Sequence, residues 1–378
     1  MIDRAASAAA DAATSSPYLL PLGILAGRAA VEASESGHAL PLAGGPLAFS
    51  SWLLLRRDAA GRGCGEFLPL AGLDAKIRMV DEETRRRLEA YSAALTAPRP
   101  AFAGLALSRP LIMGVLNVTP DSFSDGGRFP TAAAAIAHGR ALIAAGADIV
   151  DVGGESTRPG AQPVSIDEEL ARVVPVLRGL AGQGAVLSVD TRRAVAMREA
   201  IAEGARVIND VTALTGDPDS LKTAAESGAA VVLMHMQGSP QTMQKAPAYA
   251  DVALEVFDVL AKRVQACLLA GIRHDRIAVD PGIGFGKTVR HNLDLIERLA
   301  LFHGLGCALV LGVSRKSFIS RVARAESPDG RLPGSLAASL AGLSGGAQIL
   351  RVHDVGETAQ AVAIWRALND GAAATEAY

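Results

Sequence analysis

LIMGVLNV (111–118) is a largely apolar run of strand length, with the amide of Asn117 near its close. Seven runs of the same kind follow: DIVDVGG (148–154), AVLSVD (185–190), RVINDV (206–211), AAVVLMH (229–235), RIAVDPG (276–282), ALVLGV (308–313) and QILRVHD (348–354). Continuous rather than alternating apolar character predicts strands buried on both faces, as in a parallel sheet covered by helices. The stretches between them, such as 131–146, 168–181, 194–204 and 250–271, repeat apolar residues three to four apart, and several close on glycine. Eight strands, each followed by a helix, over roughly 265 residues predict an α/β chain closed into a (β/α)8 TIM barrel, in preference to an open doubly wound sheet. The units share no fixed repeat length, which excludes a solenoid.

The residues before this pattern behave differently, and we divide the chain into an N-terminal extension (1–105) of unknown role and α+β character, and a barrel (106–378). Within the extension, 47–58 predicts a strand element and 80–95 a helix with Asp81 near its N-cap. PRPAFAG (98–104) reads as a linker, and the Ala/Ser-rich residues 5–16 as flexible. No chemistry is visible in the extension, so a chain starting near residue 105 is expected to keep measurable activity if it remains soluble.

Composition narrows the function. The chain has 378 residues, 49% hydrophobic and 20% charged, with a formal net charge of −2, which argues against a broad nucleic-acid surface. Its three cysteines, Cys64, Cys267 and Cys307, are scattered without metal-ligand spacing, as expected for reduced thiols in the cytoplasm. No apolar run reaches the length of a membrane span, and the start Met1-Ile2-Asp3-Arg4 is a poor signal-peptide opening.

In a barrel of this type the active site lies at the C-terminal ends of the strands. Those ends carry Asn117, Asp151, Asp190, Asn209, Asp210, His235, Asp280, Arg351 and His353, with Lys316 just after the seventh run. Each Asp or Asn alone could be a helix cap or turn former. A polar residue at almost every end is better explained as a site. Arg351 and His353, two apart, share a face and suggest an anion site, against the plainer reading of a salt bridge to Asp354. Asp190 and Asp280 suit a planar ligand edge rich in N–H donors. His235 reads as a hydrogen-bonded core histidine, with Met234 and Met236 packing beside it. DPGIGFGKT (280–288) imitates a phosphate-binding loop, but Pro281 occupies the position of its first glycine and has no N–H to offer.

NVTPDSFSDGG (117–127), with GGESTRPG (153–160), SVDT (188–191), INDV (208–211), MHMQGSP (234–240), DPGIGFGK (280–287), GVSRKS (312–317) and RVHDV (351–355), resembles the dihydropteroate synthase family from about residue 108 to 370. The resemblance implies a TIM barrel that condenses 6-hydroxymethyl-7,8-dihydropterin pyrophosphate with p-aminobenzoate in folate biosynthesis. It implies that Asp190, Asn209, Asp280, Gly312, Lys316 and Arg351 bind the pterin. Phe123, Thr157, Arg158, Pro159, Phe285 and Ser317 match positions around p-aminobenzoate. Asn117, Lys316, Arg351 and His353 would serve catalysis, with Asn117 a magnesium ligand and Arg351 and His353 completing the pyrophosphate site. A cytoplasmic homodimer and a sulfonamide target are implied as well. Arg351→Ala is expected to remove most of the coupling by which pyrophosphate and a pterin strengthen p-aminobenzoate binding, while sparing the pterin contacts at Asp190 and Asn209. The extension departs from the family, whose typical members begin shortly before the equivalent of Leu111. Two rivals remain, a pterin-dependent methyltransferase and a catalytically silent pterin-binding paralogue. The first has no use for a pyrophosphate site, and the second usually loses loop or anion-site residues that are present here.

Overall fold

The computed structural model describes residues 16–118, 132–155, 164–238 and 242–369. Phe123, Thr157, Arg158 and Pro159, and nearly all of the Ala/Ser-rich stretch, lie outside them. All eight runs form strands: β5 (Leu111–Asn117), β6 (Ile149–Gly153), β7 (Val186–Asp190), β8 (Val207–Asp210), β9 (Ala230–Met234), β10 (Ile277–Asp280), β11 (Ala308–Leu311) and β12 (Ile349–Val352). They close into a parallel barrel in chain order, with β12 pairing back onto β5. The reason for their continuous apolar character is plain in the burial: β6 to β11 are buried along their whole length.

The extension has its own sheet. A ten-residue strand β3 (Ala48–Arg57) pairs antiparallel with β1 (Tyr18–Leu25) on one side, and with β2 (Leu40–Pro41) and β4 (Gly63–Pro69) on the other. A helix, Glu82–Thr96, follows, and the Asp81 side chain caps it by accepting from the Thr84 N–H. Its buried Leu88 and Leu95 face inward.

This unit is docked on the barrel wall. Phe257, on the barrel helix Val252–Leu269, takes Tyr18 and Tyr91 edge-on at centroid distances of 5.6 and 5.5 Å. Asp258 beside it accepts from the Tyr18 hydroxyl at 3.0 Å and from Arg57 at 2.7 Å. The expectation for 98–104 is corrected here. Arg99 donates to the carbonyls of Cys307 and His303 at 3.1 and 2.8 Å, and Phe102 is 1% exposed. Phe102 and Leu107 form one apolar cluster with Leu111, Met113, Ile149, Val186, Val207, Ala278 and Ile349 at the base of the strands. The stretch is a plug under the barrel rather than a linker. An eight-stranded barrel needs side chains to fill its interior, and here the underside is filled from outside the strand pattern.

Candidate active site

Parallel pairing sets the rim. In register, Asn117 lies opposite Gly153, Gly153 opposite Asp190, and Asp190 opposite Asn209, so four strand ends stand level around one side of the mouth. Asp280 closes β10 on the far side, opposite Met234 of β9. Asp190, Asn209 and Asp280 are all buried. Gly312, just past β11, lies between Asp280 and Arg351: a Cβ there would lie 3.7 Å from the Asp280 carboxylate and 3.8 Å from the Arg351 Cβ.

Arg351 reaches across this space. Its Nε donates to Asp151 and a terminal nitrogen donates to Asp190, each at 2.7 Å. The plainer reading of a pair with Asp354 does not hold, because Asp354 is taken by Arg315. The expectation for Arg351→Ala also needs correction. A guanidinium bonded directly to Asp190 cannot be removed without disturbing that carboxylate. Burial opposes the charge on Arg351, but Asp151 and Asp190 outweigh it and hold its pKa above the ordinary range. Burial pushes Asp190 up to about 7, only partly offset by Arg351, and raises Asp280 as well.

His353 lies beyond the end of β12, with Nδ1 3.0 Å from the Ser314 hydroxyl, which also accepts from the His353 backbone N–H at 3.1 Å. Burial first, then Arg351 and its neighbouring cations, push its pKa down to about 3, so the ring is neutral. It can accept from Ser314 at Nδ1 and present an Nε2–H, a donor without a charge. Lys316 stands at the mouth with its ammonium 4.0 Å from the Phe285 ring centroid. Ser317 is exposed and opens the short helix Ser317–Val322. Phe285 packs with Val211, Met234, Met243 and Met236 in a small apolar wall.

DPGIGFGKT proves to be a packing device. Gly282, Gly284 and Gly286 all have positive φ. A Cβ on Gly282 would meet the His235 carbonyl oxygen at 1.9 Å, and one on Gly286 the Gln237 carbonyl oxygen at 2.6 Å. The glycines therefore let the loops after β9 and β10 lie against each other. Lys287 locks them: its buried ammonium donates to His235 Nδ1 at 2.9 Å, to the Phe285 carbonyl at 3.0 Å and to the His235 carbonyl at 3.3 Å. The expectation of a hydrogen-bonded core histidine holds for His235. While Lys287 carries its charge it only donates, so Nδ1 is then the acceptor and the proton of this neutral ring sits on Nε2. Burial and Lys287 push His235 down to about 3.

Sequence reasoning saw Lys287 only as part of a false motif, and Asp151 only as one polar residue among many. No sequence signal reports who their partners are. Burial depresses Lys287 to about 7. Between that pH and its ordinary range the unfolded chain binds a proton that the folded chain does not, so rising pH favours folding. Wild-type thermal stability should therefore gain on that of Lys287→Met as pH rises from about 7 to about 10. A gap between the two melting curves that stays constant over that range would refute this account.

The comparisons agree with this geometry. Residues 113–353 match the family model described as pterin binding enzyme. The chain is 49% identical over 261 residues to the dihydropteroate synthase of Escherichia coli K12, covering 69% of this chain and 92% of that one. Its structure resembles that of Yersinia pestis dihydropteroate synthase in a sulfonamide drug complex, with TM-score 0.67, 45% identity and coverage of 70% and 95%. It likewise resembles the Xanthomonas albilineans dihydropteroate synthase in complex with 7,8-dihydropteroate, with TM-score 0.63, 44% identity and coverage of 70% and 95%. A pterin-binding match alone would also suit a methyltransferase; the identity to synthases over the whole barrel decides between them. The chain belongs to the dihydropteroate synthase family, the pterin-binding transferases of folate biosynthesis.

Proposed function

We propose that the mouth of the barrel condenses 6-hydroxymethyl-7,8-dihydropterin pyrophosphate with p-aminobenzoate, releasing 7,8-dihydropteroate and pyrophosphate. The observation that carries this reading is the convergence of Asp190, Asn209, Asp280 and Arg351 on one buried space. A pterin presents its 2-amino group and a ring N–H as donors, and buried carboxylates are strong acceptors for them. Asp190, Asn209 and Asp280 take this edge. Lys316 meets the acceptor edge, and the bare Cα of Gly312 leaves room for the ring. Phe285 and Ser317 face the p-aminobenzoate side. The assignment of Phe123, Thr157, Arg158 and Pro159 to that pocket rests on the resemblance alone.

In the reaction the bond from the pterin methylene carbon to the pyrophosphate oxygen breaks, and its electron pair leaves with pyrophosphate. The amine nitrogen of p-aminobenzoate bonds to that carbon and releases a proton to solvent. An aromatic amine is neutral near pH 7, so no strong general base is required. Arg351 holds Asp190 of the pterin site and Asp151 beside it and lends positive charge there, while His353 offers the leaving group an uncharged N–H. A magnesium ion bound with the pyrophosphate would be held on the Asn117 side of the mouth, where Asn117 Oδ1 and Asp190 Oδ2 each lie 3.7 Å from the position a Cβ on Gly153 would take. Asn117 would be its protein ligand, consistent with a cation that usually keeps waters and substrate phosphates as its other ligands. Bound there, it would supply charge neutralisation to the departing pyrophosphate. Among the described residues no helix is long and apolar enough to cross a membrane. A cytoplasmic homodimer remains part of this proposal.

Purified protein with both substrates and magnesium should yield dihydropteroate. Titration calorimetry adds a sharper test. A sulfonamide mimicking p-aminobenzoate should bind at least about tenfold tighter once pyrophosphate, magnesium and a pterin are present, because the second pocket is then complete, and linkage makes the effect reciprocal. Equal affinity with and without those ligands would overturn the reading.

A further inference from the structure

We infer that Asp151 is a positioning residue for pterin recognition, setting the orientation of both Asn209 and Arg351; this rests on the pterin reading above. Asp151 is fully buried in the middle of β6. Its carboxylate accepts from three strands at once: Ser188 of β7 at 2.6 Å, Asn209 of β8 at 2.9 Å and Arg351 of β12 at 2.7 Å. The Ser188 bond holds Oδ1, while Asn209 and Arg351 share Oδ2.

The chemistry of these donors makes the arrangement directional. An ionised carboxylate can only accept, so the Asn209 side chain must turn its NH2 towards Asp151. Its carbonyl oxygen is then left to face the pocket as an acceptor. A pterin edge of N–H donors needs that acceptor; a flipped amide would set donor against donor. The same Oδ2 fixes Arg351. With Nε on Asp151, the guanidinium fork brings a terminal nitrogen to Asp190 at 2.7 Å. One carboxylate that need not touch the ring thus dictates the polarity of one pterin residue and the aim of another.

Asp151→Asn tests this, because a neutral amide of the same shape can donate to Asn209 and permit the flip. The expected result is a KM for the pterin pyrophosphate raised about 30-fold, with the KM for p-aminobenzoate within about threefold of wild type. Direct titration with 6-hydroxymethylpterin should show the same loss. A variant with wild-type pterin KM overturns the inference. So does a parallel rise of both KM values with a lowered melting temperature, which would mark general loosening. Should Asp151→Asn fail to fold, Ser188→Ala decides: freeing Oδ1 should raise the pterin KM several-fold and leave the p-aminobenzoate KM unchanged, and an unchanged pterin KM overturns the inference. If wild-type protein makes no dihydropteroate at all, the catalytic reading fails, and the 6-hydroxymethylpterin titrations still test the role of Asp151.

Discussion

Asp280→Ala should lose pterin binding while keeping its fold. Asp280 is 5% exposed at the end of β10, and one of its oxygens accepts from the Gly282 N–H at 2.7 Å. Burial raises its pKa, so the apo protein bears a cost for holding a carboxylate there. Removing it relieves that cost and leaves one backbone N–H without its acceptor, two effects of opposite sign. The melting temperature should therefore move little. The bound state has no such compensation. Two pterin donors would face an apolar methyl group in a water-poor pocket, and losing a buried charged contact costs about 2–5 kcal/mol, or about 30-fold to several thousand-fold in affinity. Calorimetry with 6-hydroxymethylpterin and a parallel thermal melt check both halves. Wild-type affinity in the folded variant would remove Asp280 from the pterin site.

Deleting residues 1–105 should destroy the barrel as a soluble, folded protein, so the solubility on which the expected activity depends should be lost. The deletion takes away Phe102, fully buried beneath the strands, and both aromatic rings stacked edge-on against Phe257. Emptying a buried phenylalanine site alone costs about 3–5 kcal/mol, against a total stability of about 5–15 kcal/mol for a typical domain. The loss of Arg99 also frees the carbonyls of His303 and Cys307. A chain starting at residue 98 keeps Arg99 and the plug, and should recover part of the stability. Size-exclusion chromatography and thermal melts of the two truncations read this directly. A monodisperse 106–378 barrel that melts with the intact protein would show the extension to be dispensable.

The barrel was legible in the sequence because its cause is local and repeated. Strands buried on both faces must be apolar throughout, helices covering them must be amphipathic, and eight such alternations leave little freedom in topology. The polar strand ends were legible for the same reason: a carboxylate or amide closing a buried strand stands out against its run, and Asn117, Asp190, Asn209 and Asp280 do stand at the rim. Pairwise partnership was not legible. That Arg351 reaches Asp151 and Asp190, 200 and 161 residues away, depends on barrel closure and side-chain length, neither of which leaves a trace in local composition. Lys287 is the same case: Pro281 already excluded a phosphate loop, but nothing in the sequence showed that its partners are a histidine ring and two carbonyls. PRPAFAG is the opposite error. Its prolines and glycine gave a correct report of irregular backbone, but backbone irregularity carries no information on burial. Only the closed barrel, with an open apolar underside, decided that Phe102 would fill it.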